Sequence, residues 1–301
     1  MNRKAALALA GVGTALGLTA AVVVLALHRS APPARCAPGM EALGPRCCGE
    51  GQRLEGGVCR GTARRCAAGL AVTESGCVAS PRAVAIAGGT LRIGPGDWEA
   101  QGQITPRTAE VSAFAIDAYE VSEARYAACV AASACAPLPL RGEPGRAISG
   151  VTLTEASQFC AWAGGALPTS DQLAFAAAGA KGRRYAWGDT GAVCRRAAWG
   201  LQGGPCGEGA LGPEITGSHP DGASPEGVHD LAGNVAEWAR PLDAALSVAE
   251  VRGGSWADGA ASALRSWNRR EIPVGMRSAE VGLRCVYPLG EAERAGGVLP
   301  R

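Results

Sequence analysis

Between Gly207 and Arg284 the chain has no cysteine, although it carries twelve in 301 residues. No thiolate from within that stretch is therefore available for nucleophilic or soft-metal chemistry. Lysine is nearly absent as well: Lys4 and Lys181 are the only two. The 29 basic and 27 acidic residues leave a net charge of +2 with no long run of either sign. A nucleic-acid partner requires a basic stripe, so that class is excluded. Histidine is scarce, at three. His28 borders an apolar segment, which leaves His219 and His229 for metal or proton chemistry. No Gly-x-Ser-x-Gly elbow occurs, which argues against a serine hydrolase.

What the N-terminus does have is a long apolar run. Arg3 and Lys4 precede Ala5 to Leu27, which carries no charge. About 20 such residues span a bilayer core, whereas the apolar region of a cleaved signal runs to roughly 7–15. Residues 1–28 are thus expected to be a membrane anchor or signal, with the membrane as a partner. Positive charge at the front keeps the N-terminus in the cytoplasm and places the rest outside, on the periplasmic or cell-surface side. An even, high number of cysteines agrees, because disulfides persist in oxidising compartments.

Residues 29–80 begin as a Pro-rich tether and continue as a repeat. Cys36 to Cys47, Cys48 to Cys59 and Cys66 to Cys77 are each Cys-x10-Cys, with Gly39, Gly51 and Gly69 three residues after the first cysteine. Three coincident spacings predict three small loops, each closed by its own disulfide, with glycine supplying the turns. Zinc is the rival reading, but the segment has no histidine and no Cys-x2-Cys. A protease-resistant stalk is the expected role.

The main domain is placed at 84–289, followed by a flexible tail at 290–301. Residues 84–93 and 110–117 read as strands. Ser122 caps one expected helix and Thr154 a second, in which Ala156, Phe159, Cys160 and Ala163 share a face. A third starts at Thr169, where Thr-Ser-Asp-Gln forms a capping box. Beyond Gly179 the chain is rich in Gly, Pro and Trp, with little periodicity.

Several segments together resemble the formylglycine-generating, or sulfatase-modifying-factor, family. GGTLRIG (88–94), FAIDAYEVSEARYAACV (114–130), FCAWAGGALPTSDQLAFAAAGAKGRRYAWGD (159–189), GVHDLAGNVAEW (227–238), RGGSW (252–256) and GLRC (282–285) follow in the family's order. The resemblance implies an irregular α+β domain, related to C-type lectin-like domains, low in regular secondary structure and stabilised by disulfides. It implies a bond between Cys160 and Cys285. Cys129 with Cys135 and Cys194 with Cys206 then complete the pairing of all twelve.

In catalytic members of that family, two copper-binding cysteines follow Gly-Gly-Ser. Here Asp258 and Ala263 stand at those positions. The expectation is a non-catalytic binding or envelope protein, a pseudoenzyme without copper. The alternative is a metal-dependent oxidoreductase with a non-thiolate site, for example iron held by His219, His229 and Asp221 or Asp230; iron is not expected. The resemblance also implies a calcium site at Asn234, Val235, Ala236 and Glu237, with the hard oxygen donors that Ca2+ prefers. A ligand cleft for a glycan, peptide or anion is expected around Ser255, Trp256, Trp267, Arg265 and Arg269.

Overall fold

Three β-hairpins open the computed structural model, which describes residues 36–94, 105–243, 245 and 247–289, all within one compact unit. They pair Met40–Leu43 with Arg46–Gly49, Arg53–Glu55 with Val58–Arg60, and Leu70–Thr73 with Gly76–Ala79. Each carries its own disulfide, Cys36–Cys47, Cys48–Cys59 and Cys66–Cys77. The repeated glycines Gly39, Gly51 and Gly69 all sit at φ 89°, in the left-handed region where only glycine is unstrained. At Gly39 a Cβ would also lie 2.2 Å from the Cys66 carbonyl oxygen.

These hairpins are not the free stalk that the sequence suggests. Arg46, fully buried, donates to both oxygens of Glu143 in the main domain, at 2.8 and 3.2 Å. The Cys47 and Cys59 N–H groups donate to Glu214 and Glu143 at 2.8 and 3.1 Å. Ile215 completes the hairpins' own apolar cluster. The reason is size: so short a Cys-rich segment cannot bury enough surface by itself and borrows it from its neighbour.

The expected strand at 84–93 is two strands. Ala83–Ile86 and Gly89–Ile93 are separated at Gly88, whose φ is 74° and where a Cβ would sit 2.4 Å from the Val111 oxygen. The first pairs with Phe114–Asp117, which pairs on its other edge with Val286–Tyr287. The second pairs with Arg107–Val111. Both ends of the main domain thus meet in one three-stranded sheet.

Helix α1 spans Glu123–Ala131 with Ser122 as its N-cap. Helix α2 spans Leu153–Trp162 and is capped by Thr152, not Thr154. The Thr152 hydroxyl takes the Glu155 N–H, and the Glu155 carboxylate returns to the Thr152 N–H. That reciprocal pair satisfies two orphan donors, which Thr154 could not do. Helix α3 spans Ser170–Ala178, with the expected Thr169–Gln172 box and Gly179 ending it at φ 63°. Cys160 on α2 bonds Cys285, closing the longest loop of the chain. Cys129–Cys135 and Cys194–Cys206 are also formed, and no cysteine is free.

A second sheet runs Arg269–Pro273, Val248–Arg252, Ala236–Trp238, Val281–Gly282 in spatial order. Around it the chain turns irregularly on buried tryptophans. Trp238 is wholly enclosed and donates its indole N–H to the Val151 carbonyl at 2.9 Å. The architecture is the expected irregular, disulfide-stabilised α+β domain.

Among the described residues no helix is long and apolar enough to cross a membrane. The anchor expected at 1–28 lies outside the described residues, as do most of the tether and the tail at 290–301. The membrane is therefore unsupported as a partner, and that expectation is withdrawn.

Candidate functional site

The segment after strand Val248–Arg252 turns at Gly253 and Gly254, at φ 94° and 69°. A Cβ on Gly254 would lie 2.9 Å from the Ala263 oxygen, so the two arms of the turn touch through glycine. Ser255 follows, fully buried. Its N–H and its hydroxyl both donate to Oδ2 of Asp258, at 2.7 and 2.8 Å. The Asp258 carbonyl accepts the Gly200 N–H at 2.8 Å. Asp258 is thus the lock of a turn. Ala263 sits in the 3-10 turn Ala261–Leu264, where its carbonyl accepts from the Asn268 amide at 3.0 Å. Neither position offers a soft donor to a metal.

The five residues of the expected ligand cleft do not share one open surface. Trp256 donates its indole N–H to the Ala279 oxygen at 3.0 Å and packs with Tyr185, Trp199 and Leu264. Trp267 belongs to a different cluster, with Leu173 and Ala178. Arg265 is buried with its guanidinium 6.0 Å from the Trp267 ring centre. Arg269 alone reaches solvent, and it pairs with Glu250. The bulk of these rings explains the difference, since large apolar surface goes inward before it serves a ligand. Neighbouring arginines are also engaged: Arg270 with Glu280 at 3.3 Å and Arg277 with Glu155 at 2.6 Å.

A groove of about 550 Å³ opens instead beside the start of α3. Thr169, Ser170, Asp171, Arg240, Arg269 and Glu271 are among its walls, and neither Asp258 nor Ala263 lines it. Arg107 crosses it to pair with Asp171. Its volume is that of a small-ligand site. None of its described lining residues is aromatic.

The two histidines do not converge on an iron site. His219 places Nε2 2.6 Å from Glu214 and Nδ1 3.3 Å from the Arg195 carbonyl. His229 stacks on Tyr119, with ring centres 4.6 Å apart. Asp221 pairs with Arg195 at 2.7 Å, and Asp230 accepts the Gly217 N–H at 2.6 Å. Among the described residues, one group of three potential ligands comes within 4.8 Å of itself, Cys47, Glu214 and His219. Its sulfur is already bonded to Cys36, so it supplies no thiolate.

Beneath the turn lies a buried acidic cluster that the sequence reading missed. Arg284, fully enclosed, grips Glu237 with two hydrogen bonds of 2.7 Å and caps the His229 and Asp117 carbonyls at 2.7 and 3.0 Å. Glu120 accepts from the Asn234 amide at 2.5 Å and the Val235 N–H at 3.0 Å. Burial first, then the charges of Asp230 and Glu237, push the Glu120 carboxyl well above the usual carboxylate range. Glu237 is raised too, again chiefly by burial. The signal available in the sequence was Glu120 itself, an acid between Tyr119 and Val121 just past the strand Phe114–Asp117.

The expected calcium quartet fits this arrangement only in part. The Asn234 side-chain oxygen already accepts the Glu214 N–H at 2.8 Å, and both Glu237 oxygens face Arg284. Yet Glu120, Asp230 and Glu237 share one guanidinium, so the interior has more carboxylates than cations. Those hard oxygens suit Ca2+. A proton on Glu120 removes the same imbalance.

Residues 70–289 match the family described as the sulfatase-modifying factor enzyme 1-like domain. The chain belongs to this family. It is 35% identical over 151 residues to a Mus musculus protein named inactive C-alpha-formylglycine-generating enzyme 2, covering 46% of this chain and 48% of that one. It is also 32% identical over 168 residues to hercynine oxygenase of Mycolicibacterium thermoresistibile, covering 45% and 36%. The chain thus matches about half, or less, of the length of these curated relatives. Among solved structures, PvdO from Pseudomonas aeruginosa superposes with a TM-score of 0.56 at 17% identity, over 68% of this chain and 93% of that one. Treponema denticola variable protein 1 gives 0.51 at 19%, over 68% and 94%. Those two share the fold.

In this member of the sulfatase-modifying-factor family the Gly253-Gly254-Ser255 turn and the Cys160–Cys285 bond that the resemblance implied are both formed. The family match begins at residue 70, inside the third disulfide hairpin.

Proposed function

We propose that this protein is a non-catalytic, ligand-binding member of the sulfatase-modifying-factor family that works outside the cytoplasm. The observation that carries the reading is Asp258. Where the resemblance expects the first copper-binding cysteine, a carboxylate is spent on closing the Ser255 turn. Ala263 replaces the second cysteine, and all twelve cysteines of the chain are in disulfides, so none can take over. Copper chemistry of that type lacks its ligands. Similarity to relatives named inactive supports the same reading. Six disulfides fit an oxidising compartment.

We assign the ligand to the groove at the start of α3. Having no aromatic platform among its described lining, it suits a polar ligand with both charge signs, such as a peptide, better than a stacked glycan. Calcium at the acidic cluster belongs to the same proposal as an organiser of the fold. The similarity to hercynine oxygenase keeps an oxidoreductase as the rival, although among the described residues His219 and His229 do not converge on one site.

Thiol titration of the denatured, unreduced protein tests the proposal together with metal analysis and a peptide-oxidation assay. No free thiol, no stoichiometric copper or iron, and no oxygen-dependent conversion of a cysteine peptide to formylglycine are expected. Turnover with one bound copper or iron per chain would overturn it.

A further inference from the structure

The strand Arg269–Pro273 lies at the edge of its sheet and pairs on one side only. Its partner is Val248–Arg252, with Glu250 opposite Glu271 and Arg252 opposite Arg269. Along an antiparallel ladder, successive residues turn their N–H and C=O alternately toward the partner and away from it. Two hydrogen bonds fix the alternation here. The Val274 N–H donates to the Ser247 carbonyl at 3.0 Å, so this pair, one step beyond the strand, is bonded across the ladder. The Ala239 N–H donates to the Glu250 carbonyl at 2.9 Å, so Glu250 turns its backbone away from Glu271. Counting by two, Arg270 and Ile272 bond inward, whereas Arg269 and Glu271 turn their N–H and C=O outward. Pro273, which has no N–H, falls in the outward set, where an edge strand tolerates it. Among the described residues nothing pairs with this outer edge.

The same two residues, Arg269 and Glu271, line the groove beside α3. Ala249, Val251 and Ile272 pack into the apolar core on the opposite face of the sheet, which fixes the face that Glu250, Arg269 and Glu271 present. Arg269 is held by Glu250, and Arg107 by Asp171. Among the described residues, Glu271 and Arg240 line the groove with no partner for their side chains, and both are exposed. Open main-chain groups thus lie beside a spare carboxylate and a spare guanidinium. A second copy of the chain suits this edge poorly. The strand is short, its residues Arg269, Arg270 and Glu271 are exposed and charged, and it ends in proline. Those features discourage edge-to-edge pairing of like chains.

We propose that the edge strand Arg269–Pro273 binds by strand addition, taking an extended peptide segment as a fifth strand of its sheet, with a basic side chain of the segment on Glu271 and an acidic one on Arg240. Strand addition here rests on the groove being the ligand site, and it says how the ligand is held. Main-chain bonds to Arg269 and Glu271 supply affinity, and the alternate side chains that enter the groove supply selectivity. Each such bond is worth a factor of about five in affinity. Side chains of the segment that point away from the groove are free to vary. The partner must present an unfolded, extended stretch, because a folded surface cannot pair with the edge.

Nuclear magnetic resonance of the full, disulfide-bonded chain reads edge and groove separately. The probe is a short capped peptide in which threonine alternates with lysine and aspartate. It should slow hydrogen exchange of the Arg269 and Glu271 amides and leave Arg270 and Ile272, already bonded inward, as they were. Shifts of the Asp171 and Arg240 amides report occupancy of the groove. N-methylation of one alternate set of the probe's amides should weaken binding by about tenfold or more, and of the other set should leave it intact, since an added strand uses one of its edges. Glu271→Pro removes an outward N–H and spares the inward ladder; it should weaken the probe by about tenfold or more, against less than about fivefold for Glu271→Gln. Groove shifts without protection at Arg269 and Glu271, or equal effects of the two methylated sets, would overturn strand addition and leave the groove as the ligand site. No shift at either place would overturn both. Dimerisation that protects the same two amides without the probe would give the edge to a second copy and overturn the peptide. The wild-type spectra and the methylated probes decide the matter even where Glu271→Pro fails to fold.

Discussion

Replacing Asp258 by alanine removes the acceptor on which the Gly253-Gly254-Ser255 turn closes. Two donors end on one carboxylate oxygen, the Ser255 N–H at 2.7 Å and its hydroxyl at 2.8 Å. Ser255 is 0% exposed, so no solvent replaces the lost acceptor at its N–H. A buried donor left without a partner costs about 1–3 kcal/mol. The hydroxyl can turn to Glu280, 3.3 Å away, and adds little. Asp258 itself is partly exposed, so its charge is discounted and the hydrogen bonds carry the figure. The sum is about 2 kcal/mol. In domains of 150–250 residues, about 2–4 °C is lost per kcal/mol, which predicts a melting temperature lower by about 4–8 °C. Asp258→Asn keeps an acceptor oxygen and should lose less than half as much. Thermal unfolding under non-reducing conditions is the assay. Melting of Asp258→Ala within about one degree of the parent, or Asn no better than Ala, would refute the turn-lock argument.

Asp258→Cys combined with Ala263→Cys should bind Cu(I) in a competition assay with a chromogenic chelator, where the parent does not; failure would mean that the frame itself has drifted from the copper geometry. Arg284→Met strands Glu237 beside Glu120 and Asp230, and breaking a buried pair in this way costs about 3–5 kcal/mol, measured by urea unfolding. Replacing Cys160 and Cys285 by alanine opens a loop of 125 residues and should cost about 4–5 kcal/mol in the chain-entropy model, read from the same unfolding curves. Calcium should raise the melting temperature and EGTA reverse the gain. Unchanged melting at saturating calcium would show that a proton on Glu120 balances the cluster.

Legibility in the sequence followed the range of each interaction. The Cys-x10-Cys loops, the Ser122 cap and the Thr169–Gln172 box are written within a dozen residues, and each appears as expected. The cap of α2 is Thr152, two residues before the expected Thr154, which already lies inside the helix. Choosing between them depends on which one Glu155 can reach. The break in the expected strand at 84–93 is invisible to alternation, which says nothing of the contact that Gly88 makes with Val111.

Of the residues expected to line a ligand cleft, Ser255, Trp256, Arg265 and Trp267 are buried. Trp256, Trp267 and Arg265 are close in sequence, which suggests a shared surface. The fold sends the two tryptophans into separate clusters and buries Arg265 against Trp267, because burying large rings is worth more than displaying them.

The sequence by itself determined the family frame and the loss of the thiolate pair, since both depend only on which residues occupy which positions. It also pointed to the closure of each small loop, through three coincident Cys-x10-Cys spacings. Only the tertiary structure decided that the hairpins are seated on Glu143 and Glu214, that Arg284 lies under three carboxylates, and that the groove opens beside α3. Those contacts join residues as far apart as Cys47 and Glu214. Burial removes water as the competing partner, and no local pattern records which distant group will take its place.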